Sequence, residues 1–322
     1  MGLQDTTNGT TSPQKSQRRT GELVFEYIPS MKRTFLTHEY ASYPLKFLHP
    51  STMVAPNFPT AVACMLGYGG GIVGGDSTHV DIKLGDNATV VLGTQATTKV
   101  YKPKPLAPAT LSTQHLTVRI GADSLFVHVP HPITCFQGAL YAQHQRFFLH
   151  ATSSLVLVDW MTSGRLACGE SWSFASFESC NEVRYEVDNG EVLVVLLDRL
   201  RLLDEPHDPL AARMGGMAVF GTVVLIGPRL HSFVQLLLQD TARKSLAPHQ
   251  PPVPAGATHV QNVRAAVSPL TPSHPLLTSS SSSSGAIVRV AGTTTEATYE
   301  YMRALLLPLE NIVGVRCFGE NR

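Results

Sequence analysis

This chain contains no C-x-x-C pair, no basic stretch interleaved with aromatics and no long apolar run. Its five cysteines, Cys64, Cys135, Cys168, Cys180 and Cys317, are odd in number and widely spaced, which points to reduced thiols in a cytoplasmic protein rather than a disulfide framework. A formal charge of +1 excludes a surface built to neutralise many phosphates, so no nucleic-acid partner is expected. The longest apolar stretches, residues 192–197 and 217–227, fall short of the roughly 18 residues that cross a bilayer as a helix, and no membrane association is expected. The opening MGLQDTTNGTTSPQKSQRR lacks the apolar segment of a secretory signal. Residues 1–20 are expected to form a disordered tail, although Lys15, Arg18 and Arg19 against Asp5 leave an organelle transit sequence open. Charged residues are also sparse, 15% against 43% hydrophobic, an ordinary globular balance with enough apolar material over 322 residues for a sizeable core.

What is present is strand texture. Residues 23–27, 78–84, 89–93 and 116–120 alternate apolar and polar side chains or are rich in Val, Ile and Thr. Turn clusters such as Gly85-Asp86-Asn87 and Gly121-Ala122-Asp123 separate them. The same texture runs through residues 147–158, 165–177, 183–187 and 192–198, which predicts a mainly β protein with no helix before about Leu210. Two helices are predicted near the C-terminus. One covers residues 231–244, with Phe233, Leu236 and Leu237 on one stripe. The other covers residues 295–307, with a Thr cap, Glu296 in the first turn, an apolar stripe of Tyr299, Met302, Leu305 and Leu306, and Pro308 as its stop. Between them, residues 247–285 hold Pro248, Pro251, Pro252, Pro254 and a run of serines at 279–284; this composition predicts a flexible surface insertion in a single domain spanning residues 21–322.

Local motifs supply no catalytic centre. Gly69, Gly71 and Gly74 satisfy G-x-G-x-x-G, but residues 78–84 read as a strand where a dinucleotide site needs a helix N-terminus. Asp76 stands where a phosphate-binding loop needs Lys. The cluster therefore predicts a glycine-rich bend with close backbone approach. Of 13 histidines, His128 and His131 lie nearest a cysteine, Cys135, and could ligate nickel or zinc, though their spacing fits no closed zinc pattern. No nucleophile elbow is present, since Gly169-Glu170-Ser171-Trp172-Ser173 lacks the second glycine.

Five blocks, in order, carry a family resemblance: Tyr43-Pro44-Leu45-Lys46; GGGIVGGDSTHVDIKLGDNATVVLGTQATTKVYK at 69–102; VPHPITCFQGALYAQ at 129–143; Asp159-Trp160, Gly164-Arg165 and Gly169-Glu170; and residues 285–303. Together they resemble the urease accessory proteins UreD, called UreH in some bacteria, from about Gly21 to Asp240 and again from Gly285. The resemblance implies a non-enzymatic assembly scaffold: many strands in a flattened, β-helix-like stack with two α-helices. It implies as partners urease apoprotein, UreF and the GTPase UreG, a homodimer within that complex, and transient nickel rather than a tightly bound cofactor. A nickel route through the interior would be lined by Asp81, Asp159 and Glu170, the acidic residues in matching blocks, with His128, His131 and Cys135 as weaker candidates. His131 departs from the family pattern, which carries an acidic residue there. The alternative is a carbohydrate-active enzyme on a β-solenoid, which should show stacked repeats and a cleft of paired carboxylates; a nucleotide-binding enzyme using the glycine cluster is a third reading.

Overall fold

The computed structural model describes residues 19–50, 54–55, 57–103, 110–186, 190, 192–244, 262–271 and 285–318. Four strands open the fold: β1 (Gly21–Ile28), β2 (Arg33–Ala41), β3 (Leu45–Leu48) and β4 (Thr60–Gly67). Three coils of three strands follow. The first is β5 (Gly71–Ile72), β6 (Ser77–Leu84) and β7 (Thr89–Thr94). The second is β8 (Thr98–Val100), β9 (Ser112–Ile120) and β10 (Leu125–Val129), and the third is β11 (Ile133–Cys135), β12 (Leu140–Leu149) and β13 (Ser154–Thr162). Corresponding strands of successive coils pair in parallel, β6 with β9 with β12 and β7 with β10 with β13, so each circuit stacks on the one before. This is the β-helix-like stack implied by the resemblance. The remaining elements are β14 (Ser176–Glu186), β15 (Val192–Leu203), α1 (Leu210–Arg213), β16 (Val219–Ile226), α2 (His231–Lys244), β17 (Val263–Leu270), β18 (Gly285–Gly292), α3 (Thr295–Leu306) and α4 (Glu310–Val313).

The strands form a seven-stranded sheet, β15-β14-β12-β9-β6-β1-β2, and an eleven-stranded sheet whose main path is β17-β18-β16-β13-β10-β7-β4-β3. Sequence texture separates the two. The central strands of the seven-stranded sheet alternate: in β6, Thr78, Val80, Ile82 and Leu84 are buried while Ser77, His79, Asp81 and Lys83 point outward. One face meets the core and the other meets solvent. Strands of the larger sheet are near-continuous apolar runs, and all five residues of β10 are buried, because both faces are covered. On the inner side Phe25, Ile82, Phe126, Phe147 and Leu157 pack between the sheets. On the other side Val127, Val158 and Trp160 pack against Phe233, Val234, Met302, Leu306 and Phe318 of the helical layer.

Both predicted helices form. Thr294 caps α3, its hydroxyl accepting from the Ala297 N–H at 3.2 Å, and the α-helix ends at Leu306 ahead of Pro308. The stripe of α2 is corrected at one position: Phe233 is buried and Leu237 packs against the core as expected, but Leu236 is 64% exposed and Val234 is buried in its place. Residues 147–158 are two strands, not one texture. A turn after Leu149, closed by Ser153 N–H to His150 C=O at 3.0 Å, carries the chain from one sheet to the other. Residues 165–177 are mostly turns, because Gly164, Gly169 and Trp172 adopt positive φ and break any strand. Within the expected insertion at 247–285, Val263–Leu270 is an edge strand antiparallel to β18. Its Val263, Ala265 and Val267 pack on the helical layer, a period-2 signal masked by the Pro/Ser-rich flanks, and Pro269 is tolerated at a sheet edge. Residues 247–261 and 272–284 of that insertion and residues 1–18 of the expected tail lie outside the described residues.

The glycine cluster is a bend, as expected. Gly69, Gly70 and Gly75 have φ of 77, 74 and 90°, and the strand β6 follows. At Gly71, paired with Lys99 of β8, a Cβ would sit 2.6 Å from the Lys99 carbonyl oxygen. That oxygen belongs to the backbone of the next coil and cannot swing away. Gly71→Ala is expected to destabilise the protein by roughly 1–3 kcal/mol, read as a lower urea midpoint; an unchanged midpoint would show that the coils do not need this approach.

Candidate functional site

Polar residues collect at one end of the space between the sheets. In β12, Tyr141, Phe147 and Leu149 mark the inward parity, so Gln143 and Gln145 must also face in. In-register stacking then builds two rows across the sheet: Thr78–Gln114–Gln143–Ser179 and Val80–Leu116–Gln145–Asn181. Opposite them the larger sheet contributes His128 and Asp159.

Asp159 is where the donors converge. Its carboxylate accepts from Gln143 Nε2 at 2.7 Å, Ser179 Oγ at 2.5 Å and Asn181 Nδ2 at 2.6 Å. The amides are themselves oriented: Tyr141 O–H donates to Gln114 Oε1 at 2.5 Å, and Gln145 Nε2 donates to Asn181 Oδ1 at 3.0 Å. Burial holds the Asp159 carboxyl above the usual carboxylate range, against the opposing pull of its three donors. Beside this network His128 is buried, its Nδ1 has no hydrogen-bond partner among the described residues, and burial lowers its pKa to about 4. It is a neutral imidazole at neutral pH, able to offer a lone pair.

Two cavities flank Asp159 and share it and Trp160 as lining. One, of about 190 Å³, runs from the glycine bend at Gly67, Gly70 and Gly71 past His131 and His128 to Gln143 and Gln145. The other, of about 440 Å³, continues past Ser179 and Asn181 to Asp198, Thr222 and Arg289. At that end Arg289 donates to both oxygens of Asp198, at 2.7 and 2.8 Å, and to Thr222 Oγ1 at 2.6 Å. This corridor between the two sheets is walled mainly by apolar surface, with the Asp159 carboxylate in the wall of both cavities.

Of the three carboxylates expected to line an interior route, only Asp159 lines a cavity between the sheets. Asp81 has the outward parity of β6 and pairs with Arg19 at 2.6 Å on the surface. Glu170 lines neither cavity. Arg165 grips it through Nε at 2.9 Å and through a second nitrogen, and holds its carboxyl below the usual range. The Arg165 guanidinium also lies 3.9 Å over the Phe136 ring, so the pair fixes a turn. His128, His131 and Cys135 do not form one cluster. His128 and His131 line the first cavity, and His131 Nδ1 meets the Tyr299 hydroxyl at 2.6 Å. Cys135 faces a separate apolar cluster with Trp172 and Phe174, where burial pushes its thiol pKa far up. Among the described residues, no three His, Cys, Asp or Glu side chains already converge on a common point. Gln143, Ser179, Asn181 and Arg289 were missed, yet inward parity was a readable signal for the first three.

The blocks behind the resemblance now have physical content. Asp159 and Trp160 are adjacent on β13 and face opposite ways, Asp159 into the corridor and Trp160 into the helical layer. The UreD urease accessory protein family model matches residues 19–316. The chain is 34% identical to urease accessory protein D of Arabidopsis thaliana over 92% of its own length and 98% of that protein. It is also 34% identical to urease accessory protein D of Oryza sativa subsp. indica, over 88% and 90%, and 36% identical to UreD of Sorangium cellulosum, over 91% and 81%. A β-helix-like stack, a match over nearly all of its length and relatives at this identity together place the chain in the UreD family of urease accessory proteins.

Proposed function

We propose that this protein is a scaffold for urease maturation that binds urease apoprotein together with UreF and UreG, and that nickel in transit passes through its interior. The observation that carries the reading is Asp159, a half-buried carboxylate fed by three donors and lining two cavities. A cargo ion must be held briefly and released. A single carboxylate, amide oxygens and one neutral imidazole make a sparse oxygen/nitrogen donor set of that kind, unlike the closed thiolate or tetrahedral sets that retain a metal. Partner binding has support in the edge strand β15, which exposes Val192, Val194 and Leu197 along a border of the seven-stranded sheet that no other described strand pairs with. The carbohydrate-active alternative gains nothing from the corridor. Asp159 is tied to amides and Asp198 to Arg289, whereas a glycosidase pair must face substrate across a cleft.

The test is reconstitution. This chain is co-expressed with its cognate urease subunits, UreF and UreG, and partner capture, urease nickel content and urease activity are measured with and without it. Omission is expected to leave urease nickel-poor and inactive. Equal activation without the chain, or no capture of any partner, would reject the reading.

A further inference from the structure

We infer, on the scaffold reading above, that β15 is completed in the assembled complex by an extended segment of a protein partner, aliphatic on both faces and carrying a carboxylate opposite Arg199. The main paths of the two sheets end in four edge strands, β2 and β15 on one and β3 and β17 on the other. Three of these carry devices that keep an edge from pairing with another chain. β3 is only four residues long, and β17 holds Pro269 and the exposed Arg264. β2 exposes His38 and Glu39, and its Thr34 N–H donates to the Pro59 carbonyl at 2.9 Å. The first half of β15 has no such device.

Residues 192–197 read Val-Leu-Val-Val-Leu-Leu, an apolar run of high β-propensity with no Pro and no charge. Val192, Val194 and Leu197 face outward, opposite Glu186, Arg184 and Glu182 of β14, and are 41, 55 and 50% exposed. Leu193, Val195 and Leu196 pack on the inner core but are only partly covered. Among the described residues β14 is the one strand that pairs with this run, while the far end of β15 is closed by Arg213 donating to the Leu203 carbonyl. Side-chain neighbours on each face stabilise a strand pair, so the segment that fits here is aliphatic toward both faces. Just past the run Arg199 is exposed, and no carboxylate pairs with it among the described residues, whereas Arg201 is held by Glu178 at 2.8 Å. A carboxylate on the added strand completes that charge. A second copy of β15 fits less well. The ladder slips between Val183 and Arg184, which leaves Val195 as the extra residue of a bulge. Antiparallel pairing of two such runs, Val192 on Leu197, sets Val194 on Val195, bulge against bulge, and brings Gly190 rather than an acid to Arg199.

The test is amide hydrogen exchange of the full-length chain, free and co-expressed with urease apoprotein, UreF and UreG, beside capture of each partner by V194K/L197K and by Arg199→Glu. Amides of residues 192–199 are expected to exchange roughly tenfold more slowly, or slower still, in the complex, as those of a paired strand do. Capture of one partner is expected to fall roughly tenfold or more in V194K/L197K, because apolar contacts at an interface centre dominate its affinity. Arg199→Glu is expected to weaken the same capture and reduce its sensitivity to salt. Lysine is common on natural edge strands, so the double variant should fold; if it does not, Arg199→Glu, which leaves the apolar run intact, decides. Partners captured by wild type while these amides exchange as fast as in the free chain would overturn the inference and leave the scaffold reading standing, as would undiminished capture by both variants. Self-association of the isolated chain that V194K/L197K abolishes would overturn it in favour of a second copy. Capture of no partner by wild type would reject the scaffold reading and the added strand together.

Discussion

Urease matured in the presence of Asp159→Asn is expected to carry roughly tenfold less nickel, or lower still, while this chain still folds and still captures its partners. Asn is nearly isosteric with Asp, so the corridor keeps its shape. Its carbonyl oxygen still accepts from the network, but its NH₂ meets one of the donors of Gln143, Ser179 or Asn181 head-on, which costs about 1–2 kcal/mol. Removing a buried charge offsets part of that loss, since Asp159 is held above the usual carboxylate range by burial. The fold should therefore survive. What disappears is the carboxylate that lines both cavities, and with it the attraction for a divalent cation midway along the proposed route. Urease nickel content per active site, determined after co-expression, is the readout. Full nickel loading would exclude passage by way of Asp159, and loss of partner capture would mean that the substitution had damaged the scaffold instead.

Trp160→Ala is expected to cost about 3–5 kcal/mol, among the largest losses a single core truncation produces. Trp160 is 2% exposed and packs edge-on against Tyr299 of α3 at 4.6 Å and Phe318 at 5.5 Å. Its indole N–H donates to the Pro130 carbonyl at 2.8 Å, tying β13 to the segment that leaves β10. Truncation opens a cavity beneath the helical layer and leaves that carbonyl without its donor. Trp160→Phe separates the two effects: it keeps most of the ring and loses the hydrogen bond, at about 1 kcal/mol for the bond itself plus a smaller packing loss. Urea unfolding at constant slope measures both. A loss below about 1 kcal/mol for the alanine variant would mean that the helical layer docks without this contact.

A good part of the fold was readable from residues. Alternation in β6 and β9 marked strands with one wet face, and Asn87 and Asp123, both at positive φ, closed the turns that Gly85-Asp86-Asn87 and Gly121-Ala122-Asp123 announced. Both C-terminal helices stood at the residues predicted for them. The failures have physical causes. Asp81 was assigned to the interior by its position in a family block, although parity with Thr78, Val80 and Ile82 already turned it outward. Leu236 was placed on the buried stripe of α2 beside Phe233, where the sheet beneath selects Val234 instead. Val263–Leu270 was hidden because composition averaged over a window outweighs a short period-2 signal.

By itself, then, the sequence determined the mainly β class, the turn positions, the two helices and the family, because each rests on neighbours a few residues apart or on ordered blocks. Parity along residues 140–149 held the face of Gln143 as well, although it was not read there. Only the tertiary structure decided what Gln143 would find there. Coil stacking sets residues in register across separations of 36 for Gln143 with Ser179, and sheet packing brings Asp159 against both. Those pairings depend on the number of residues in each turn between strands, a long-range sum that no local pattern encodes. For the same reason three histidines scattered through the chain, His79, His115 and His144, become adjacent rings, while Glu170, in the same family block as Asp159, is drawn away to Arg165.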